Sequence, residues 1–118
     1  MTTSRHFRVE RCADALLCHF LDSKIAAEPA ISTVGSELYA VVDRPDCQKL
    51  VLDFSSVEFL SSAMLGKLIS ANRKMKEKGG ALKLCAIRPS ILAVLKCSWL
   101  DQILDIRDTQ DNAMAACG

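Results

Sequence analysis

One continuous stretch in the middle of this chain, Lys49 to Ile87, restricts the possible folds more than any other feature. It opens with Lys49-Leu50-Val51-Leu52-Asp53-Phe54, in which the apolar residues run consecutively instead of alternating. A strand with one wet face alternates, whereas a strand covered on both faces does not. The run therefore reads as an internal strand of a parallel sheet. After a serine-containing loop, Met64, Leu65, Leu68, Ile69, Asn72 and Met75 fall on one face of a helix, and Lys67, Arg73, Lys74 and Glu77 on the rest. This helix should start near Ser61 or Ser62. Its cationic end, Lys74 to Lys78, suits the negative pole of a helix terminus, and Gly79-Gly80 supplies the stop. Ala81 to Ile87 then resumes a strand pattern. Strand, helix and strand in this order form one parallel crossover unit.

The flanking segments extend the same alternation. Phe7 to Arg11 and Ala15 to Leu21, separated by Cys12-Ala13-Asp14, read as a hairpin. Ile31, Val34, Leu38 and Val41/Val42 give a helical pattern from Pro29 to about Val42, which Arg44-Pro45-Asp46 breaks. Pro89-Ser90 opens a third helix carrying Ile91, Leu92, Val94, Leu95 and Trp99, with Trp99 expected as a packing anchor unless exposure gives it to an interface. Ile103 to Ile106 reads as a last strand, and Thr109 to Ala116 as a final helix capped by Thr109 or Asp108. The order β-β-α-β-α-β-α-β-α predicts an α/β or α+β domain with a mixed, mainly parallel sheet. No linker or repeat divides the 118 residues, and a chain of this length buries roughly two-thirds of its unfolded surface in one core.

Composition narrows the function classes. Fifteen Lys+Arg against 14 Asp+Glu leave a formal charge of +1, which offers no electrostatic case for direct nucleic-acid binding. Six aromatics (Phe7, Phe20, Tyr39, Phe54, Phe59 and Trp99) provide little stacking surface for single strands. Cys12, Cys18, Cys47, Cys85, Cys97 and Cys117 include no CxxC pair and have no histidine placed to complete a metal set. Most lie in apolar stretches, where cysteine acts as a small buried hydrophobe. Met1 to Glu10 lacks the apolar core of a signal peptide, and no run approaches the ~18 residues of a membrane span. The expectation is a reduced, cytoplasmic protein with no metal or other cofactor. An enzyme needs a nucleophile with a base. His6 lies near the terminus and His19 within a strand, neither at a catalytic spacing, and the apolar setting of Cys85 favours an inert thiol.

The chemistry concentrates in Val51 to Ile69, VLDFSSVEFLSSAMLGKLI. Functional groups in such sheets gather beyond the carboxyl ends of the strands, and the start of a helix stabilises an anionic group through its free N–H groups and dipole. A phosphoryl group on Ser62 would enjoy that environment. On spacing alone the favoured reading is that Ser61 or Ser62 serves only as the helix N-cap, a role that serine fills for about 1 kcal/mol. A glycine inside a helix costs about 1 kcal/mol against alanine, so Gly66 is expected to permit close packing against a neighbouring strand.

The stretch LVLDFSSVEFLSSAMLGKLISANRKMKEKGGALKLCAI resembles the core of a STAS domain, the module of anti-sigma factor antagonists. The family pattern is an apolar strand ending in D-L-S, then D-S-S-G-L-G at a helix start. Asp53-Phe54-Ser55 matches the first part, and Ser61-Ser62-Ala63-Met64-Leu65-Gly66 occupies the second. The resemblance implies a single STAS-like domain over residues 1–118, with a core of about 6–116. Its sheet should be mixed, mostly parallel and four- to five-stranded, with about four helices packed against it. It also implies a switch. The unmodified domain binds an anti-sigma factor that is also a serine kinase, phosphorylation of Ser62 (alternatively Ser61) releases it, and a phosphatase resets it. Asp53, Ser55, Ser61, Ser62, Ala63, Met64 and Gly66 are the partner-binding residues so implied. Ser61 replaces the family's aspartate, and Ala63-Met64 its second serine and glycine. Ser23-Lys24-Ile25-Ala26 stands where relatives carry a G-E-L-D-like turn, so the acidic contact expected at its last position is absent. The alternative is a STAS-like interaction or ligand-sensing module whose serines act only as caps.

Overall fold

The consecutive apolar residues of the central run do form an internal strand. The computed structural model describes residues 2–3, 6–12 and 14–107. In chain order its strands are β1 (Thr2–Thr3), β2 (Phe7–Cys12), β3 (Ala15–Phe20), β4 (Lys24–Ile25), β5 (Lys49–Asp53), β6 (Phe59–Leu60), β7 (Ala81–Cys85) and β8 (Asp105–Arg107). Three helices, α1 (Ala30–Val42), α2 (Ser62–Glu77) and α3 (Pro89–Cys97), join them. The main sheet has the order β1-β2-β3-β5-β7-β8, and β4 and β6 make a separate two-stranded ladder. Strands β2 and β3 pair antiparallel as a hairpin, while β3-β5, β5-β7 and β7-β8 are parallel. Five main strands thus form the expected mixed, mostly parallel sheet, with the two residues of β1 as an added edge. The fourth expected helix, Thr109 to Ala116, lies outside the described residues.

Alternate residues of the strands face α1 and α2. Val9, Leu16, Cys18, Leu50, Leu52 and Leu84 pack there with Val34, Leu38, Met64 and Leu68, all 2 % exposed or less. Leu17, Val51 and Cys85 on the opposite face are fully buried as well. Both faces of β5 are therefore covered, which is why its sequence does not alternate. Phe20 stacks on Phe54 at 4.9 Å and meets Phe7 edge-on at 5.7 Å, closing the core beneath the end of β5.

Helix α2 ends where Gly79 adopts φ +78°. At Gly80 a Cβ would stand 2.7 Å from the Gln48 carbonyl oxygen, so the chain enters β7 too close to its neighbour for any side chain. Three boundaries depart from the sequence reading. Strand β7 stops at Cys85, two residues before Ile87, because Ala86 turns into the left-handed region at φ 56°. Helix α3 stops at Cys97, so Trp99 lies beyond it and is 73 % exposed instead of anchoring the core. A 3-10 turn over Leu100–Gln102 follows, with the Ile103 and Leu104 N–H groups donating to the Leu100 carbonyl. That turn delays the last strand from Ile103 to Asp105.

Candidate functional site

The carboxyl end of β5 is terminated by its own aspartate. Asp53 is 6 % exposed, and its Oδ1 accepts the Ser55 N–H at 2.8 Å, a side-chain turn that bends the backbone out of the sheet. Its Oδ2 lies 3.4 Å from Nδ1 of His19, the residue paired with it across β3 and β5. The other ring nitrogen of His19 is 2.9 Å from Glu10 Oε1. His19 therefore links two carboxylates on neighbouring strands. His6, expected near a loose terminus, is held 2.6 Å from Asp22, and its carbonyl accepts the Leu21 N–H. Spacing along the chain could reveal neither pair, because both arise from strand register.

The next segment is pinned from both sides. The Ser23 carbonyl accepts the N–H groups of Glu58 at 2.7 Å and Phe59 at 3.1 Å, and Ser61 donates its N–H to the Ile25 carbonyl at 3.1 Å. The parallel pairing of Lys24 with Phe59 and of Ile25 with Leu60 turns Ile25 and Leu60 inward. Phe59 is left 51 % exposed and Lys24 exposed, beside the start of α2. The Arg88 guanidinium approaches the Ser55 carbonyl at 3.4 Å from the β7–α3 connection.

At the helix start the two candidate hydroxyls separate. Ser61 is the N-cap, with extended backbone (φ −78°, ψ 163°), and its Oγ accepts the Met64 N–H at 3.3 Å. Ser62 is the first helical residue and is exposed, as is Ala63. Aspartate and serine cap helices about equally well, so Ser61 replaces the family's aspartate without loss of the cap. Gly66 is exposed, and a Cβ added there would meet nothing within 4 Å, which overturns the expectation that this glycine permits close packing. Of the seven residues singled out from sequence, Ser55, Ser62, Ala63 and Gly66 reach the surface and Ser61 is half-buried. Asp53 and Met64, also expected as partner contacts, turn inward: one ends the strand, and the other is fully buried beneath the first turn of α2. They shape the surface without forming it. Phe59 and Lys24 belong to this surface although the sequence analysis missed them; their signal was the outward–inward alternation Phe59-Leu60 beside the paired Lys24-Ile25.

Three buried thiols, Cys18, Cys47 and Cys85, are held protonated. Burial, with the Asp53 carboxylate nearby, pushes Cys85 up to about 12, and burial also raises Cys18 and Cys47. A thiol so shifted is a poor nucleophile at neutral pH. Among the described residues, no three His, Cys, Asp or Glu side chains are grouped to hold a metal, and no helix is long and apolar enough to cross a membrane.

Comparison with known proteins accords with this geometry. An anti-sigma F factor antagonist of Paenibacillus polymyxa is 27 % identical over 81 residues, 69 % of each chain. The structure of an anti-sigma-factor antagonist (STAS) domain protein from Planctomyces limnophilus superposes with a TM-score of 0.83 at 23 % identity, covering 95 % of this chain and 97 % of that one. The phosphorylated form of SpoIIAA, a Bacillus cell fate determinant, shares the fold with a TM-score of 0.69 at 15 % identity, covering 93 % and 97 %. A family model for the STAS domain matches residues 11–113. The match runs from the end of β2 through β8 and takes in the capped helix start, and the chain belongs to the STAS domain family.

Proposed function

We propose that this domain is an anti-sigma factor antagonist. Unmodified, it sequesters an anti-sigma factor with serine kinase activity, and phosphorylation of Ser62 releases that partner. The observation that carries this reading is the division of labour at the start of α2. The Ser61 hydroxyl is engaged in capping, while Ser62 stands exposed one residue later on a backbone held by the β4–β6 ladder. In the transfer, Ser62 Oγ loses its proton and takes the γ-phosphoryl group of ATP, with ADP leaving. The new charge of about −1.5 to −2 lies at the positive end of the helix, which stabilises it within the domain. At an interface the same charge must be desolvated, so binding is lost while the fold is kept.

The contact face comprises Ser55, Ser62, Ala63 and Gly66, with Phe59 and Lys24 at its margin; Asp53, Ser61 and Met64 hold its backbone. A phosphatase completes the cycle by hydrolysing the serine phosphate. The names carried by relatives support a role in regulation through protein partners, in the cytoplasm where sigma factors act. The second reading, an interaction or ligand-sensing module with capping serines only, fits Ser61 but leaves exposed Ser62 without a role.

The test is direct. The protein is incubated with the anti-sigma-type kinase of its own host and ATP, then mapped by peptide mass spectrometry. One phosphate on Ser62, absent in Ser62→Ala, is the expected result. A kinase that binds the unmodified domain yet leaves Ser62 unphosphorylated overturns the switch and selects the second reading.

A further inference from the structure

We propose a second docking surface, remote in sequence from Ser62. It is formed by Ile69, Arg73 and Lys76 of α2, Lys96 and Trp99 around the end of α3, and Ile103, and it takes an acidic amphipathic segment of another protein. Three observations support it independently of the phosphorylation reading.

The first is Trp99. It follows the C-cap of α3 at φ 61°, ψ 13°, the left-handed position that helices usually give to glycine because any Cβ there is crowded. This chain instead places its largest side chain there, 73 % exposed. Neither capping nor core packing accounts for that choice. An exposed aromatic on a fixed backbone is the usual form of an interface anchor.

The second is a groove lined by Ile103, four residues along the chain from Trp99. Ile103, 47 % exposed, lines a cavity of about 450 Å³ with Ile69, Asn72, Arg73 and Lys76. A further cavity of about 530 Å³ continues from Asn72, Lys76 and Ile103 toward β7 and β8. The Asn72 side-chain amide donates to the Ile103 carbonyl at 3.3 Å, so the turn that carries Ile103 is tied to α2 before any partner arrives.

The third is charge. Lys74 pairs with Asp43, and Lys83 and Arg107 both pair with Asp105. Among the described residues Arg73, Lys76 and Lys96 have no ion pair, and Glu77 is the one acid lining the first cavity. An apolar strip flanked by unneutralised cations complements apolar side chains flanked by carboxylates, the surface of an acidic amphipathic helix. A second copy of this chain would set the same cations against each other. A flat lipid surface would leave the concave groove unfilled.

Trp99 is the only tryptophan, so its emission reports directly on this corner. The probe is a synthetic peptide of Leu, Ala and Glu with leucines at helical spacing, titrated into the full chain. The expected result is a saturable blue shift, weakened roughly tenfold or more by the double variant Arg73→Glu/Lys76→Glu. The same shift should persist in Ser62→Asp, which separates this surface from the switch. Trp99→Gly relieves the left-handed strain, so its melting temperature should hold or rise. Its affinity for the fluorescein-labelled peptide, read by anisotropy, should nevertheless fall. No shift with the acidic peptide, or an equal shift with its lysine counterpart, overturns the proposal. So does a shift with phosphatidylserine vesicles, or one that follows protein concentration alone. Retained peptide affinity in Trp99→Gly removes the anchor.

Discussion

The Ser62 corner and the Trp99 corner both present side chains to solvent on a fixed backbone, but they obtain that rigidity in opposite ways. At Ser62 every local preference agrees. Serine is a favoured N-cap, the Asp53 turn ends the strand, and the β4–β6 ladder satisfies the loop. At Trp99 local preference is violated, since a residue with a Cβ holds a left-handed conformation while its indole is left in water. A face whose chemistry changes by modification can rest on an unstrained scaffold. A strained, exposed aromatic is tolerated only because the surrounding turn and helix over-determine it.

Substitutions can break or sharpen this contrast. The largest effect belongs to the floor of the first corner: Met64→Ala should cost about 2–5 kcal/mol, because a fully buried side chain leaves a cavity. Trp99→Ala should stay within roughly 0.5 kcal/mol, as expected of an exposed site. Urea unfolding of the two variants measures both, and equal losses would erase the distinction between a supported surface and a strained one. Next comes the cap. Ser61→Ala should lose about 1 kcal/mol and Ser61→Asp should retain it, as an N-cap requires. A neutral Ser61→Ala would mean that the 3.3 Å bond to the Met64 N–H contributes nothing.

Gly66→Ala should stabilise by about 0.8–1.0 kcal/mol, since the added methyl group meets open space and alanine is the better helix former. If Gly66 belongs to the contact face, the same variant will melt higher yet capture less anti-sigma factor. Higher stability with unchanged capture would place Gly66 outside the interface. A modest stability gain is expected for Ser62→Asp, about 0.3–1 kcal/mol from an acid at the first turn of the helix. Its consequence for binding should be large. A Ser62→Asp protein with intact fold and undiminished partner affinity would break the charge switch.

Much of the fold was legible because periodicity reports burial directly. The consecutive apolar run at β5, the helical spacing from Met64 to Met75 and the Gly79-Gly80 stop each encode a local structure that tertiary packing preserved. The errors fell where local signals were ambiguous. The apolar residues 91, 92, 94, 95 and 99 read as one helix, yet the chain leaves the helix after Cys97 and only Ile91 and Leu95 are buried in it. Gly66 read as a packing glycine because sequence does not say which face of α2 is covered. Of the candidate contact face, the sequence motif offered its own residues but not Phe59 and Lys24, since a two-residue ladder between β4 and β6 joins segments more than thirty residues apart.

The sequence alone determined that the chain from Lys49 onward forms a buried strand, a helix and a second strand, and that two adjacent serines stand where the helix begins. Both follow from patterns a few residues long. Only the tertiary structure decided which serine is bonded and which is free, because that depends on where the Ile25 carbonyl meets the Ser61 N–H. It also turned Asp53 and Met64 inward, gave His19 its two carboxylates and left Trp99 in water. Those outcomes depend on register between strands and on which helix face the sheet covers, and no short-range pattern in a single chain encodes them.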